Sequence, residues 1–161
     1  MRYLFIVLFL FFLASCSTAN YYIVRHAEKA PSDGAMTTDV PLSEAGEQRA
    51  VALQEALRHK KIQTIYATPY KRTQGTAQPL SAAINVPINT YDPRDTAMVR
   101  KLKAISGNTL VVGHSNTVDD LVNGLTGQKL LKDLPETQYG DLFIVKKKGN
   151  KYTLKQERFG N

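Results

Sequence analysis

The sequence predicts an α/β domain with a mainly parallel sheet, helices on its faces and an antiparallel hairpin at the C-terminus. Short apolar segments with high strand propensity alternate with longer segments of helical character over most of the 161 residues. Residues 109–112 are apolar at nearly every position, as a parallel strand covered on both faces should be. A C-terminal pair of apolar segments surrounds a Lys-Gly-Asn turn, which predicts the hairpin.

Each element follows from local sequence signals, taken in chain order. Ser43 is a good N-cap for a first helix that ends near His59, whose basic turn favours a capping role for that histidine. The second helix is expected to be interrupted near Gly75 or Pro79. The predicted strands cover residues 21–24, 62–66, 88–91, 109–112, 142–145 and 152–154, and the helices after the first cover 70–83, 96–106 and 117–125.

The N-terminus has the pattern of an export signal. Residues 3–13 form an almost unbroken apolar run, too short to span a bilayer comfortably, and the run ends at Cys16, the only cysteine. The tetrad that ends in Cys16 resembles the bacterial lipobox, which implies cleavage before this cysteine and lipid attachment to its sulfur. We therefore expect a signal peptide at 1–15, a polar tether at 16–20 and one domain at 21–161. The expected location is the bacterial cell envelope, lipid-anchored on the outer-membrane or periplasmic side.

The charge of the chain suits an anionic partner. Its formal net charge is +7, and the basic residues are scattered except for the run Lys146, Lys147 and Lys148. That run precedes Gly149 and Asn150 and therefore reads as the solvated tip of the hairpin. Because no nucleic-acid motif accompanies it, we expect no nucleic-acid partner, and the anionic partners that remain are a membrane surface, reached through the lipid anchor, and a small anionic substrate.

Two predicted strands end in a histidine. The strand at 21–24 runs directly into Arg25 and His26, and the strand at 109–112 is followed by Gly113 and His114. A third strand ends in a loop that supplies Arg72. Reactive groups collect at the carboxyl ends of strands in open α/β sheets. If the strands are neighbours, an imidazole could attack phosphorus while guanidinium groups hold the phosphoryl oxygens.

Four segments, in order, resemble the histidine phosphatase superfamily, also called the phosphoglycerate mutase-like family. They are Arg25-His26-Ala27-Glu28, the helix start at 42–50, the Thr68-Pro69-Tyr70-Lys71-Arg72 segment with Thr76-Ala77, and Val111-Val112-Gly113-His114-Ser115-Asn116. Together they span residues 21 to 125. The family most often has glycine at the position of Ala27, and the alanine side chain would narrow the space beside His26.

The resemblance implies the roles of the site residues. His26 would be the residue that is phosphorylated, and Arg25, Arg72 and His114 would form the phosphate pocket. Asn116 would lend an amide to the substrate or cap the strand. Neither a metal nor a cofactor is implied, because the guanidinium groups take the place of a metal ion.

The general acid remains open at this stage. Asp95 is the tentative general acid, and its alternative role is to cap the amino terminus of the following helix. Asp92 is the other carboxylate in this segment. Glu28 is the alternative acid, two residues after His26. Asp119 and Asp120 fit structural roles in the first turn of a helix.

The leading functional hypothesis is a metal-independent phosphatase. It would hydrolyse a phosphomonoester or a similar small phosphorylated substrate through a phosphohistidine on His26. The first alternative is a phosphohistidine-protein phosphatase, and the second is a non-catalytic, anion-binding lipoprotein with the same fold. Mutases of the family carry insertions for which this chain has little room. A zinc deaminase is excluded because its signature needs a later pair of cysteines.

Overall fold

The computed structural model describes residues 18–31 and 39–160, which form an α/β domain. Six strands and four helices are defined in this part of the chain. In order they are β1 (Thr18–Arg25), α1 (Glu44–Leu57), β2 (Ile62–Ala67), α2 (Lys71–Ile84), β3 (Ile88–Thr90), α3 (Met98–Ala104), β4 (Asn108–Gly113), α4 (Val118–Thr126), β5 (Asp141–Lys148) and β6 (Lys151–Arg158).

The strands form one mixed sheet in the order β3-β2-β4-β1-β5-β6. The pairs β2–β3, β2–β4 and β1–β4 are parallel, whereas β5 pairs antiparallel with both β1 and β6. Arg25 lies opposite Gly113 in the β1–β4 ladder, so the two predicted histidine strands are neighbours and end at the same edge. The predicted fold class is confirmed.

The sheet separates two apolar clusters. One face packs mainly against α3 and α4, and the other packs mainly against α1 and α2, so β1 and β4 are covered on both sides. This explains why residues 109–112 have no polar alternation. Among the largest fully buried side chains are Tyr21, Ile23, Leu53, Leu80, Leu110, Val111 and Phe143.

The first two helices begin where the sequence predicts, but α2 is not interrupted. The Ser43 hydroxyl accepts a hydrogen bond from the Gly46 amide and caps α1 as expected. Helix α2 continues through Pro79 to Ile84. Glycine at position 75 is explained by packing and not by a break in the helix, because a Cβ there would lie 3.2 Å from the Leu42 side chain. The buried side chains of α2, which pack it against the sheet, offset the hydrogen bond that the proline removes.

Two boundaries differ from the sequence prediction. Strand β1 begins at Thr18, so residues 18–20 belong to the sheet and not to a tether; they pair with Lys146–Lys148 of β5. Local sequence does not reveal this extension, because it depends on pairing with a distant hairpin. Helix α3 is shorter than predicted, since residues 92–97 form turns before Met98. The predicted signal peptide and Cys16 lie outside the described residues.

Within residues 18–31 and 39–160, no helix has the length and apolar character needed to cross a membrane.

Candidate active site

A cavity of about 760 Å³ opens at the carboxyl ends of the parallel strands. It lies where the sequence placed the site, and Arg25, His26, Arg72, His114 and Asn116 all line it. Other residues on its wall are Lys29, Tyr70, Tyr91, Asp92, Arg94, Ser115 and Glu136. The cavity is larger than a phosphoryl group needs, so it also has room for the group to which a phosphate is attached.

His26 is held by its own backbone at the end of β1. The His26 amide donates to the Gly113 carbonyl (2.9 Å), which ties it to the end of β4. Its Nδ1 lies 2.8 Å from the Ala27 carbonyl oxygen. A carbonyl only accepts, so Nδ1 carries the proton and Nε2 of the neutral ring keeps its lone pair. His26 is therefore in the tautomer that an attack by Nε2 requires.

The backbone after His26 is held by α2. The Ala27 amide donates to the Thr76 hydroxyl (2.9 Å), and that hydroxyl donates to the Arg72 carbonyl (2.7 Å). Because Arg72 lies in the first turn of α2, these bonds fix the distance between the helix start and the histidine. The Arg72 guanidinium also lies 4.5 Å from the centre of the Tyr70 ring, a cation–π distance that limits where the side chain can go.

His114 stands beside His26 and is oriented by Thr68. The centres of the two imidazole rings are 5.5 Å apart. The Tyr70 ring is nearly perpendicular to that of His114, with 5.2 Å between the ring centres. The Thr68 hydroxyl lies 2.9 Å from His114 Nε2 and 2.8 Å from the Thr73 hydroxyl. The Thr73 hydroxyl also lies within hydrogen-bond distance of the carbonyl oxygens of residues 68 and 70 (2.9 and 2.8 Å). This buried hydroxyl chain holds one nitrogen of His114 and leaves Nδ1 for the cavity.

Arg25 is buried and engaged by the segment between α4 and β5. Its Nη1 donates to the carbonyls of Pro135 (2.8 Å) and Gln138 (3.3 Å), and its Nη2 pairs with Glu136 at 2.8 Å. The guanidinium lies 4.5 Å from the centre of the Tyr139 ring. Its Nε is buried without a hydrogen-bond partner in the described part of the chain, so this N–H is a donor that a phosphoryl oxygen could satisfy.

Two helices direct their amino termini toward the cavity. Helix α2 begins just after Tyr70, and α4 begins just after Thr117, whose hydroxyl accepts from the His114 amide (2.9 Å). The positive end of a helix dipole favours an anion. Both helix starts therefore add to the field of the two arginines.

Burial and the nearby cations keep both histidines neutral. Burial is the larger cause, and Arg25 and Arg72 add repulsion of a further proton; together they lower the pKa of His26 to about 4 and that of His114 to about 4. The hydrogen bond to the Ala27 carbonyl opposes this for His26 without reversing it. A neutral His26 at ordinary pH is what a nucleophile needs.

The carboxylates considered as general acids are all paired. Asp95 does not line the cavity, and the hydrogen bond from Lys101 (2.6 Å) is the main reason that its pKa is lowered. It also accepts from the Ala97 amide (2.8 Å), which is the capping role considered from the sequence. Asp92 lines the cavity, but hydrogen bonds from Arg94 lower its pKa.

Glu28 has a structural position. Both of its carboxylate oxygens lie 2.8 Å from Arg49 Nε, and burial, which alone would raise its pKa, is outweighed by this hydrogen-bonded pair. Its carbonyl accepts from the Ser43 amide (2.9 Å), and a Cβ on Gly46 would overlap that carbonyl oxygen. Glu28 therefore fastens the segment after His26 to α1, and it does not line the cavity.

The sequence analysis missed three polar residues of the site. Thr68 had a signal, since it ends a strand within a quoted motif, but its contact with His114 depends on the placement of β4. Ser115 lies in the quoted motif around His114, but the motif does not reveal that its hydroxyl meets the Glu136 carboxylate at 2.7 Å. Glu136 had no signal, because it comes from an irregular segment with no motif. In the described ranges, no group of three His, Cys, Asp or Glu side chains is arranged to hold a metal ion.

Comparison with known proteins agrees with these features. Residues 21–94 match the family model described as the histidine phosphatase superfamily (branch 1). The search of curated proteins found no match. The family match confirms the resemblance that the sequence motifs indicated.

Several solved structures share the fold. A candidate phosphohistidine phosphatase SixA from Agrobacterium tumefaciens is 21% identical, with a TM-score of 0.67, over 88% of this chain and 96% of that one. The protein histidine phosphatase SixA in complex with tungstate is 20% identical (TM-score 0.69; 86% and 96%). A candidate alpha-ribazole-5′-P phosphatase from Escherichia coli is 16% identical (TM-score 0.69; 87% and 96%). At these identities the likeness establishes the fold.

Proposed function

We propose that this chain is a metal-independent phosphatase of the histidine phosphatase superfamily, which acts through a phosphohistidine on His26. The observation that carries the proposal is the hydrogen bond from His26 Nδ1 to the Ala27 carbonyl, at the wall of a cavity that also holds two arginines. This bond leaves Nε2 as a neutral nucleophile, and the guanidinium groups supply donors for the oxygens of phosphorus.

The reaction has two steps. In the first, Nε2 of His26 attacks phosphorus, the bond from phosphorus to the leaving group breaks, and the leaving group keeps the bonding pair and takes a proton from solvent. In the second, water attacks the phosphohistidine and releases orthophosphate, while Nε2 recovers its lone pair. Arg25 Nε, Arg72 and His114 stabilise the charge on the non-bridging oxygens in both steps.

His114 needs a proton on the nitrogen that faces the substrate. We propose that the Thr73 hydroxyl donates to the Thr68 hydroxyl (2.8 Å), so that the single proton of Thr68 is free to be donated to His114 Nε2 (2.9 Å). With Nε2 accepting, Nδ1 of the neutral ring carries the proton and donates to a phosphoryl oxygen. Thr68 therefore acts as a positioning residue for His114.

The substrate is proposed to be a phosphomonoester or a similar small phosphorylated compound. A phosphohistidine protein is the second candidate, and one observation favours it. Two carboxylates, Asp92 and Glu136, lie on the cavity wall. Hydrogen bonds from Arg94 lower the pKa of Asp92, and the hydrogen bond from Ser115 followed by the charge of Arg25 lowers the pKa of Glu136, so neither is a ready proton donor. A substrate whose leaving group requires no strong acid fits that arrangement.

A panel of phosphorylated compounds, assayed in excess chelator, tests the proposal. We expect release of phosphate from at least one class of compound, undiminished by the chelator and absent in His26→Ala. Activity that disappears on chelation and returns with one divalent ion would contradict a metal-independent mechanism. Saturable binding of phosphate without turnover or protein phosphorylation would instead identify the anion-binding lipoprotein.

We also propose that Cys16 is lipidated and holds the protein at the bacterial cell envelope. The support is the apolar run that ends in a lipobox-like tetrad. Mass spectrometry of the mature N-terminus should show a lipid on Cys16, and Cys16→Ser should abolish the modification. A mature protein that retains residues 1–15 and carries no lipid would refute this.

A further inference from the structure

The end of the domain opposite the cavity carries a concentration of lysines. The parallel strands begin there, and the tip of the β5–β6 hairpin lies beside the start of β1: Thr18 is opposite Lys148, which is itself opposite Lys151. Lys61 immediately precedes β2 at the same end. We call the exposed residues Lys61, Lys146, Lys148 and Lys151 the basal surface.

Hydrogen bonds join the segments that form this end. The Asn20 amide donates to the Asn108 side chain (3.0 Å), which in turn donates to the Lys60 carbonyl (2.7 Å). Lys147 Nζ donates to the Lys103 carbonyl at the end of α3 (2.7 Å). The hairpin tip is thereby fixed against the starts of β1 and β4, so the lysines move as part of the domain.

The segments of the chain that form the basal surface contain no acidic residues. All 14 acidic residues of the chain lie outside residues 56–91, 96–118 and 142–156, and these three segments contain the basal surface. Arg58, which follows the end of α1 at this end of the domain, pairs with Glu55, just before the first of those segments. The four lysines of the surface are therefore not neutralised by neighbouring carboxylates in sequence, and their field favours an anionic partner.

The proposed lipid on Cys16 favours a lipid surface as that partner. Only two residue steps separate Cys16 from Thr18 in the sequence, so the chain between them can span at most about 7 Å. That distance is comparable to the Debye length of about 8 Å at physiological ionic strength. A lipid on Cys16 would hold the basal surface within electrostatic range of the headgroups.

We propose that the basal surface binds the anionic headgroups of the bilayer in which Cys16 is anchored. This inference rests on the proposed lipidation and is independent of the proposed phosphatase chemistry. Strand β1 has eight residues, so Arg25 lies about 23 Å from Thr18 along the strand. Contact at the basal surface directs the cavity away from the bilayer, where it meets water-soluble substrates and not lipid headgroups.

A probe at the hairpin tip tests the contact. Asn150→Cys provides a thiol for a polarity-sensitive dye, because Cys16 is the only native cysteine. The lipidated protein is reconstituted in vesicles of phosphatidylcholine, with or without phosphatidylglycerol. We expect the dye to be quenched by headgroup quenchers in the anionic vesicles, and quenching to fall in high salt.

Matched double variants separate charge at the tip from charge elsewhere on the hairpin. Lys148→Gln/Lys151→Gln should lower the equilibrium constant for contact between the hairpin tip and the anionic bilayer about 30-fold. Each lysine near an anionic surface raises that constant about fivefold. Lys155→Gln/Arg158→Gln removes the same charge from the far end of β6 and should leave the contact unchanged. Phosphatase activity on a soluble aryl phosphate should be the same in both.

The outcomes distinguish this proposal from the others. The proposal would be overturned if quenching were the same in neutral as in anionic vesicles, and the same in the tip variant as in the wild type. That result would show that the tether alone brings the hairpin tip to the bilayer. Binding of the tip to a nucleic acid but not to anionic vesicles would also overturn it. If mass spectrometry finds no lipid on Cys16, the anchor on which the proposal rests is absent and the proposal is overturned, while the proposed phosphatase chemistry is unaffected.

Discussion

Arg25 and Glu136 form an ion pair of 2.8 Å at the wall of the cavity, between a side chain that is 3% exposed and one that is 69% exposed. The Glu136 carboxylate also accepts from the Ser115 hydroxyl at 2.7 Å, and this bond is the first cause of its lowered pKa. A carboxylate therefore occupies one arm of the arginine that is proposed to hold the phosphoryl group.

Replacing Glu136 by glutamine should strengthen the binding of small oxyanions. The change removes a negative charge beside the incoming phosphate and loosens the hold on Arg25 Nη2. An exposed ion pair contributes about 0.2–1 kcal/mol, so the inhibition constant for phosphate or tungstate should fall about one and a half- to fivefold. Competitive inhibition measures this.

Glu157→Gln is the matched control, because that carboxylate pairs with Lys155 on β6. It should leave oxyanion binding unchanged. Weaker oxyanion binding in Glu136→Gln would show that Glu136 orients Arg25 more than it competes with the substrate.

The two histidines should differ in protein phosphorylation. His26→Ala should abolish turnover and acid-labile labelling of the protein by radioactive phosphate, because it removes the nucleophile. His114→Ala removes one transition-state donor, which typically costs a factor on the order of a hundred to a thousand in rate, so slow labelling should persist. Labelling that survives in His26→Ala and disappears in His114→Ala would reverse the two roles.

Thr68 should affect rate through the tautomer of His114. In Thr68→Val the hydroxyl that meets His114 Nε2 at 2.9 Å is lost, and we expect kcat to fall on the order of tenfold while labelling of His26 remains. Thr68→Ser keeps the hydroxyl and should restore most of the rate. Equal losses in both variants, accompanied by equal losses in stability, would assign Thr68 to packing alone.

The lowered pKa of both histidines should make the stability of the protein depend on pH. The pKa of each is lowered to about 4, whereas in the unfolded chain it is about 6.5, so between these values the unfolded state binds the extra proton. The free energy of unfolding should therefore be unaffected above about pH 7 and fall as pH decreases from about 6.5 to 4. The loss is on the order of 3 kcal/mol for each histidine.

Urea unfolding at several pH values tests this, with the difference between the wild type and His114→Asn isolating one histidine. The variant should lose less stability on acidification than the wild type. His59→Asn serves as the control, since His59 is exposed at the end of α1, and it should follow the wild-type curve. Parallel curves for wild type and His114→Asn would mean that His114 titrates normally.

The sequence by itself determined the fold class and the four residues on which the proposed chemistry depends. Strand propensity places His26 and His114 directly after buried strands, and the capping signal at Ser43 locates α1. These features depend on contacts between residues close in the chain, so local propensity and periodicity are sufficient to predict them. The quoted motifs then indicate the family that the chain resembles and the site roles that this resemblance implies.

Tertiary structure decided which groups pair with one another. Glu28 and Asp95 look equally available in the sequence, but Arg49 and Lys101 bind them away from the cavity wall. Glu136 has no sequence signal, and it reaches Arg25 only because the segment after α4 returns across the end of the sheet. The start of β1 at Thr18 likewise depends on β5, more than 120 residues later. Such pairings join residues that are distant in the chain, and no local pattern of residues encodes them.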